Sequence, residues 1–249
     1  RTSQNTISKR RRTMKRIIKI SLILLLVGMA VIAAVPFFKE KRAERKYENE
    51  FKKIQESVIE KKSDANGLVK KNKDCIGYVE IPGTTISYPV MQTKKNPDFY
   101  LNHDFNGNYS FYGTPYLSAY CDVKKADNLI IYGHNINGGK MFGALEQYKD
   151  KEFFYKHRKI YFTTDKKREY EVFAVMSVNI HEFEYWKFVM ARDKKEYDEF
   201  VDKVEEHSLW RQGDKPKYGE QMLMLSTCDN GKGDDWRIAI VGKMIVQYY

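Results

Sequence analysis

Apolar positions along this 249-residue chain change their spacing twice, and each change predicts a different kind of element. From Ile20 to Phe38 the apolar residues are continuous, 19 positions without a charge. At about 1.5 Å per residue such a helix crosses roughly 28 Å, close to the hydrocarbon thickness of a bilayer. The run predicts a transmembrane anchor over residues 20–38, preceded by a basic cytoplasmic arm over residues 1–19. From Lys39 to Lys62 the chain is dense in Lys, Glu and Ala, with no Gly or Pro, and Tyr47, Phe51, Ile54 and Val58 recur at helical spacing. That predicts a helical stalk or N-terminal helix over residues 39–66, its apolar stripe either docked on the following domain or left in solvent. KKSDANG marks the break.

From Cys75 onward the pattern becomes short. CIGYVEIPG, TISYPVM, GTPYLSAY, NLIIYGH, KIYFTT, EYEVFAVMSV, QMLMLSTC and WRIAIVGKMIV are eight runs rich in Val, Ile, Tyr and Phe, most of them bounded by turn residues. Eight such runs predict a mainly β domain with flanking helices over residues 67–249, its sheet closed into a barrel or folded as a sandwich. Two helical pieces interrupt the strands. One is Met141–Tyr155. The other, Asp193–Leu209, places Tyr197, Phe200, Val201, Val204 and Ser208/Leu209 on one face, immediately before the Cys-bearing strand.

Composition adds a compartment. Hydrophobic residues make up 42% of the chain, enough for a core. Net charge is +11, a balance that suits anionic lipid, an acidic wall polymer or nucleic acid. Much of the excess lies in the first 19 residues, so the charge does not imply a basic face on the domain, and no nucleic-acid partner is expected. A signal peptide cleaved near Val31-Ile32-Ala33 is the competing reading of the apolar run. The run is longer than a usual signal core, which favours a retained anchor, and both readings export the remainder. The segment after the span is also rich in Lys and Arg, but the short arm contains no domain, so the N-terminus is placed inside. The three cysteines, Cys75, Cys121 and Cys228, match no metal spacing and allow at most one bridge, Cys75–Cys121, which would leave Cys228 free. No cofactor or metal is expected.

A Cys at a strand end needs a nearby cation to gain thiolate character. Arg237 lies nine residues beyond Cys228 across one short loop, so in a hairpin the two would be neighbours. A guanidinium stays protonated at ordinary pH, which makes it a poor acid and a good donor to a developing oxyanion. His134 follows a strand-like run and precedes a glycine-containing loop, a strand-end placement facing a cleft. His103 reads as a turn residue, His157 and His207 as solvated, and His181 as a residue in a connection that could border a groove. DNGKGDD clusters three Asp without EF-hand spacing and reads as a turn.

LSTC at Leu225–Cys228, an Arg nine residues on, and a His within YGHN together resemble the sortases, membrane-anchored transpeptidases of Gram-positive bacteria built on an eight-stranded barrel. The likeness runs from about Cys75 to the C-terminus. IPGTTISYPVMQ, YLNHDFNG, LIIYGHNINGGKMFGALEQY and the helix before LSTC resemble class B in particular. Met224 departs from the family pattern Thr-Leu-X-Thr-Cys, at a position expected to point away from the thiol. The resemblance implies that Cys228 is the nucleophile, His134 the acid and base, and Arg237 the oxyanion or backbone donor. It implies substrate contacts at Ser226, Thr227, Leu101 and Tyr185, positions that ordinary packing would equally explain. The implied partners are a C-terminal sorting-signal peptide similar to Asn-Pro-X-Thr-Asn or Leu-Pro-X-Thr-Gly, an amine from a peptidoglycan precursor, and the membrane through the N-terminal helix. Three functions compete: a transpeptidase that anchors proteins or polymerises pilins, a cysteine protease using water, and a tethered wall-polymer binder without catalysis.

Overall fold

The computed structural model describes residues 2–60 and 65–248. The chain divides into two compact units, Arg1–Lys53 and Ile54–Tyr249. The described residues of the first lie within one helix, α1 (Thr2–Glu60). Within α1, Lys19–Ala43 is long and apolar enough to cross a membrane. Its Leu, Ile, Val and Phe side chains are exposed, as the lipid-facing side of a single span would be. The Tyr47, Phe51, Ile54 and Val58 stripe lies outside the described side chains.

The second unit takes in the end of α1 and a short helix, α2 (Ala65–Lys71), and continues as a sheet that closes on itself. The strands are β1 (Cys75–Glu80), β2 (Ser87–Met91), β3 (Tyr116–Leu117), β4 (Asn128–Tyr132), the two-residue hairpin arms β5 (Asn135–Ile136) and β6 (Lys140–Met141), β7 (Lys159–Thr163), β8 (Lys167–Asn179), β9 (Ser208–Arg211), β10 (Met222–Cys228) and β11 (Trp236–Tyr248). The order β11-β10-β4-β3-β2-β1-β7-β8 returns to β11 through a β8–β11 pairing, which makes an eight-stranded closed barrel. These eight strands are the eight apolar runs of the sequence. β9 adds to β8 outside the closure, pairing Ala174 with Arg211 and Val175 with Trp210.

The central strands are buried on both faces, which explains why they read as continuous apolar runs instead of alternating ones. In β10 every residue from Met222 to Thr227 is buried. A 3-10 helix, Phe142–Lys149, covers one side of β10 and β11. The segment expected as one helix over Met141–Tyr155 is therefore two. The 3-10 stretch stops at Asp150, whose carboxylate caps the following helix α3 (Lys151–Lys156) by accepting from Phe153 N at 2.8 Å.

The helix α4 (Lys194–Glu206) buries Tyr197, Phe200, Val201 and Val204, the face expected from their spacing. Asp193 caps it by accepting from Glu196 N at 2.9 Å. It ends three residues earlier than expected. Ser208 turns its hydroxyl back to Val204 O, and Leu209 enters β9, where strand pairing to β8 replaces the next helical turn.

One turn outside the barrel depends on a glycine. Gly113 adopts φ +60°, and a Cβ there would lie 2.3 Å from Leu101 O and 2.7 Å from Tyr100 O. Only glycine allows the 110–113 turn to close over the 3-10 segment Phe99–Leu101. Gly113→Ala is expected to cost about 2 kcal/mol. Urea unfolding followed by tryptophan fluorescence measures it, since all three Trp lie in the second unit. An unchanged midpoint would show that the turn tolerates a side chain.

Candidate active site

Cys228 is the last residue of β10, half-buried, and its partner across the ladder is Arg237, near the start of β11. Asp229 N donates to Trp236 O at 2.9 Å. The next pair inward, Cys228–Arg237, is therefore the narrow, non-hydrogen-bonded kind, in which Cα atoms approach to roughly 4.5 Å and side chains stand side by side. The short loop 229–235 turns the chain between them.

His134 comes from the other neighbour of β10. Parallel pairing of β4 with β10 runs from Asn128–Met222 to Tyr132–Ser226 and stops there. Two residues later the chain presents His134 beside the end of β10. Its Nε2 lies 2.9 Å from Leu101 O. A carbonyl accepts only, so Nε2 carries the proton and Nδ1 is left as the acceptor. Burial holds the His134 pKa below its usual 6.5, while the bond to Leu101 O pulls partly the other way.

All seven candidate residues line one cleft of about 1150 Å³: Cys228, His134, Arg237, Leu101, Tyr185, Ser226 and Thr227. They do not contribute in the same way. Ser226 and Tyr185 are buried and share a hydrogen bond of 2.7 Å, their hydroxyls forming part of the cleft floor. Burial pushes the Tyr185 hydroxyl up to about 12, so it stays neutral, and Arg237 acts on it in the opposite sense. Thr227 Oγ1 donates to Gly133 O at 2.7 Å, bracing the backbone before His134. Leu101 acts here through its carbonyl as well as its side chain. Arg237 Nη1 donates to Asp234 O at 2.6 Å and Trp236 O at 2.9 Å, while its other N–H groups remain for a ligand.

The apolar part of the wall includes Leu101, Ile180, Trp186, Val189 and Met190. Phe111, 68% exposed, lies parallel to the His134 ring with centroids 6.3 Å apart. Nothing in the local sequence pattern marked Phe111, because the contact depends on the turn at Gly113.

Met224 lies on the same side of β10 as Ser226 and Cys228, since side chains alternate and the strand has no bulge there. The expectation that it points away from the thiol is corrected. It is buried two pleats down the strand, where its sulfur accepts from Asn128 Nδ2 at 3.7 Å. The same Asn128 amide donates to Phe188 O at 3.0 Å and so ties down the cleft wall.

Two of the remaining histidines differ from expectation, while His181 lies in a connection beside the cleft as expected. His157 and His207 are half-buried instead of solvated: His157 Nδ1 pairs with Pro82 O at 3.0 Å, and His207 stacks on Phe183. His103 stacks on Phe99 and bridges to Tyr109. His181 is exposed and lies 3.6 Å from Asp235, next to Ile180 of the cleft wall. Cys75 and Cys121 are free and buried, and burial pushes their thiols up to about 12 and about 11. That leaves Cys228 as the accessible thiol.

Comparisons with known proteins bear on the family and the fold. Residues 79–245, more than half of the chain, match the family model described as Sortase domain. Sortase B of Staphylococcus aureus is 29% identical over 245 residues, covering 93% of this chain and 98% of that protein. Sortase B of Listeria monocytogenes is 30% identical over 195 residues, 76% of each. Among solved structures, the Staphylococcus aureus sortase B–substrate complex superposes with a TM-score of 0.73 at 26% identity, covering 84% of this chain and 98% of that one.

The depressed His134 pKa makes a prediction with a definite sign. The neutral imidazole stabilises the fold fully above the ordinary value of 6.5, and that contribution is lost as pH falls through the lower folded value. Urea midpoints between pH 7.5 and 5 are expected to fall less for His134→Gln than for the unaltered chain. Equal slopes would contradict the assignment.

Proposed function

Because this chain belongs to the sortase family of cysteine transpeptidases, we propose that Cys228, His134 and Arg237 carry its reaction, transferring a surface protein from its sorting signal to an amine of the cell wall. The observation that carries this reading is the in-register pairing of Cys228 with Arg237 in a cleft that also holds His134.

The steps follow from the groups available. His134 Nδ1 takes the Cys228 thiol proton, and the resulting thiolate attacks the carbonyl carbon of a Thr in the sorting signal to form a C–S bond. Arg237, through the N–H groups its own loop leaves free, donates to the oxyanion or to the peptide backbone beside it. The tetrahedral species collapses, the C–N bond breaks, and His134 gives its Nδ1 proton to the departing amine. During that step the Leu101 carbonyl holds Nε2–H and supports the imidazolium. An incoming amine then attacks the thioester, His134 Nδ1 takes its proton, and the new amide leaves with Cys228 restored. A thioester retains enough reactivity for amide formation without ATP. The apolar wall and the neutral Tyr185–Ser226 pair suit an extended peptide with few charges.

The span in α1 supports a membrane anchor with the basic arm inside and the barrel outside, where the wall amine lies. Protease added to intact cells should then digest the barrel unit and spare the arm. Digestion of the arm alone would reverse the orientation.

A peptide library offered to the full chain in detergent identifies the signal. Cys228→Ala and His134→Ala are each expected to reduce cleavage by at least 1000-fold, and Arg237→Ala by about 100-fold, in line with loss of an oxyanion donor. With an added amine, mass spectrometry should find a ligated product. Turnover by Cys228→Ala, or hydrolysis alone with every amine tried, would refute the proposal.

A further inference from the structure

The backbone ladder between β4 and β10 stops at Tyr132–Ser226, yet the next residues on the two strands remain joined. Thr227 Oγ1 reaches Gly133 O at 2.7 Å. Asn135 Nδ2 reaches Cys228 O at 2.7 Å and, with its second hydrogen, Glu146 Oε1 at 2.7 Å. Both of those partners accept only, which fixes the amide with its NH2 toward them. His134 is thus held between two side-chain cross-links to the strand end that carries the thiol.

The Glu146 bond continues into a chain of charges. Glu146 Oε2 takes Lys149 Nζ at 2.5 Å, and Lys149 Nζ also reaches Asp229 Oδ1 at 2.5 Å. Asp229, fully buried, accepts from Ser177 at 2.6 Å through its other oxygen. Burial alone would raise the Asp229 carboxyl, but Lys149 and Ser177 outweigh it and hold the group below its usual value. The chain Cys228 carbonyl–Asn135–Glu146–Lys149–Asp229 therefore leaves one residue and returns to the next, a closed ring around the end of β10. Asp229 is the fully buried member, so removing Lys149 leaves a buried carboxylate without its counter-charge.

Resting on the catalytic reading of Cys228 and His134, we propose that Asn135 is a positioning residue: its bond to the Cys228 carbonyl sets the separation of imidazole and thiol, and the Glu146–Lys149–Asp229 charges hold its amide in place. A misplacement of about 1 Å between reacting groups costs up to roughly 100-fold in rate.

A charge swap separates positioning from simple stability. Asn135→Asp puts a carboxylate against Glu146 and against the Cys228 carbonyl. Adding Glu146→Gln restores a donor–acceptor link between positions 135 and 146 and keeps the total charge, but supplies no donor to the Cys228 carbonyl. With the full chain in detergent and the peptide turned over fastest in the library, Asn135→Asp is expected to lower kcat by 10- to 100-fold with KM within two-fold. In the double variant the unfolding midpoint should return toward that of the unaltered chain, while kcat stays low. Recovery of kcat together with the midpoint, or an unchanged kcat in Asn135→Asp, overturns the inference. Full turnover by Cys228→Ala in the same assay would instead remove the catalytic reading, and this inference with it.

Discussion

The pairing of β10 with β11 is the constraint on which the rest of the second unit depends. From Met222–Lys243 to Cys228–Arg237 the register has no slip. A shift of one residue would turn every side chain to the opposite face and move the guanidinium away from the sulfur. β11 also pairs with β8 from Trp236–Asn179 to Tyr248–Lys167, so the same strand that positions Arg237 closes the barrel. Fold and site share one set of hydrogen bonds. The placement of the Cys is therefore held by an unbroken ladder to β11, a strand itself fixed by its longer pairing with β8, rather than by a mobile loop.

The electrostatics of the cleft divide the work among its groups. Arg237 is the permanent charge, and its loop carbonyls take two bonds without neutralising it. His134 is kept neutral by burial, with a carbonyl in place of a carboxylate behind it. A neutral acceptor fixes the tautomer without pinning the imidazole as a cation, which suits the role proposed for it, giving a proton in one half-reaction and taking one in the other. Of the carboxylates near the site, Glu146 and Asp229 point at Lys149, so their charge serves the architecture, and Asp98 in the cleft lining accepts from the Tyr116 hydroxyl at 3.2 Å.

Much of this was legible in the chain. The eight barrel strands coincide with eight apolar runs because strands buried on both faces leave continuous, short, turn-bounded signals. The proximity of Cys228 and Arg237 followed from their spacing across one turn. What was not legible depends on contacts distant in sequence. The Leu101 carbonyl reaches His134 across 33 residues, and Asn135 reaches Cys228 across 93. β9 replaced the end of a helix because pairing to β8 outweighed the local helical pattern. The two-residue arms β5 and β6 are too short for any periodicity to show. Met224 shares the thiol's face because β10 keeps a period of two without a bulge, which its departure from the family pattern does not reveal.

The central claim is that the sulfur of Cys228 holds the peptide between the two half-reactions. Acid quenching of the full chain after brief exposure to a cleavable peptide, without added amine, followed by digestion and mass spectrometry, reads this directly. The account predicts that the peptide fragment ending in Thr is found on Cys228 as a thioester that hydroxylamine removes. Cleavage with no adduct on Cys228, or with the adduct on Cys75, Cys121 or another residue, would contradict it.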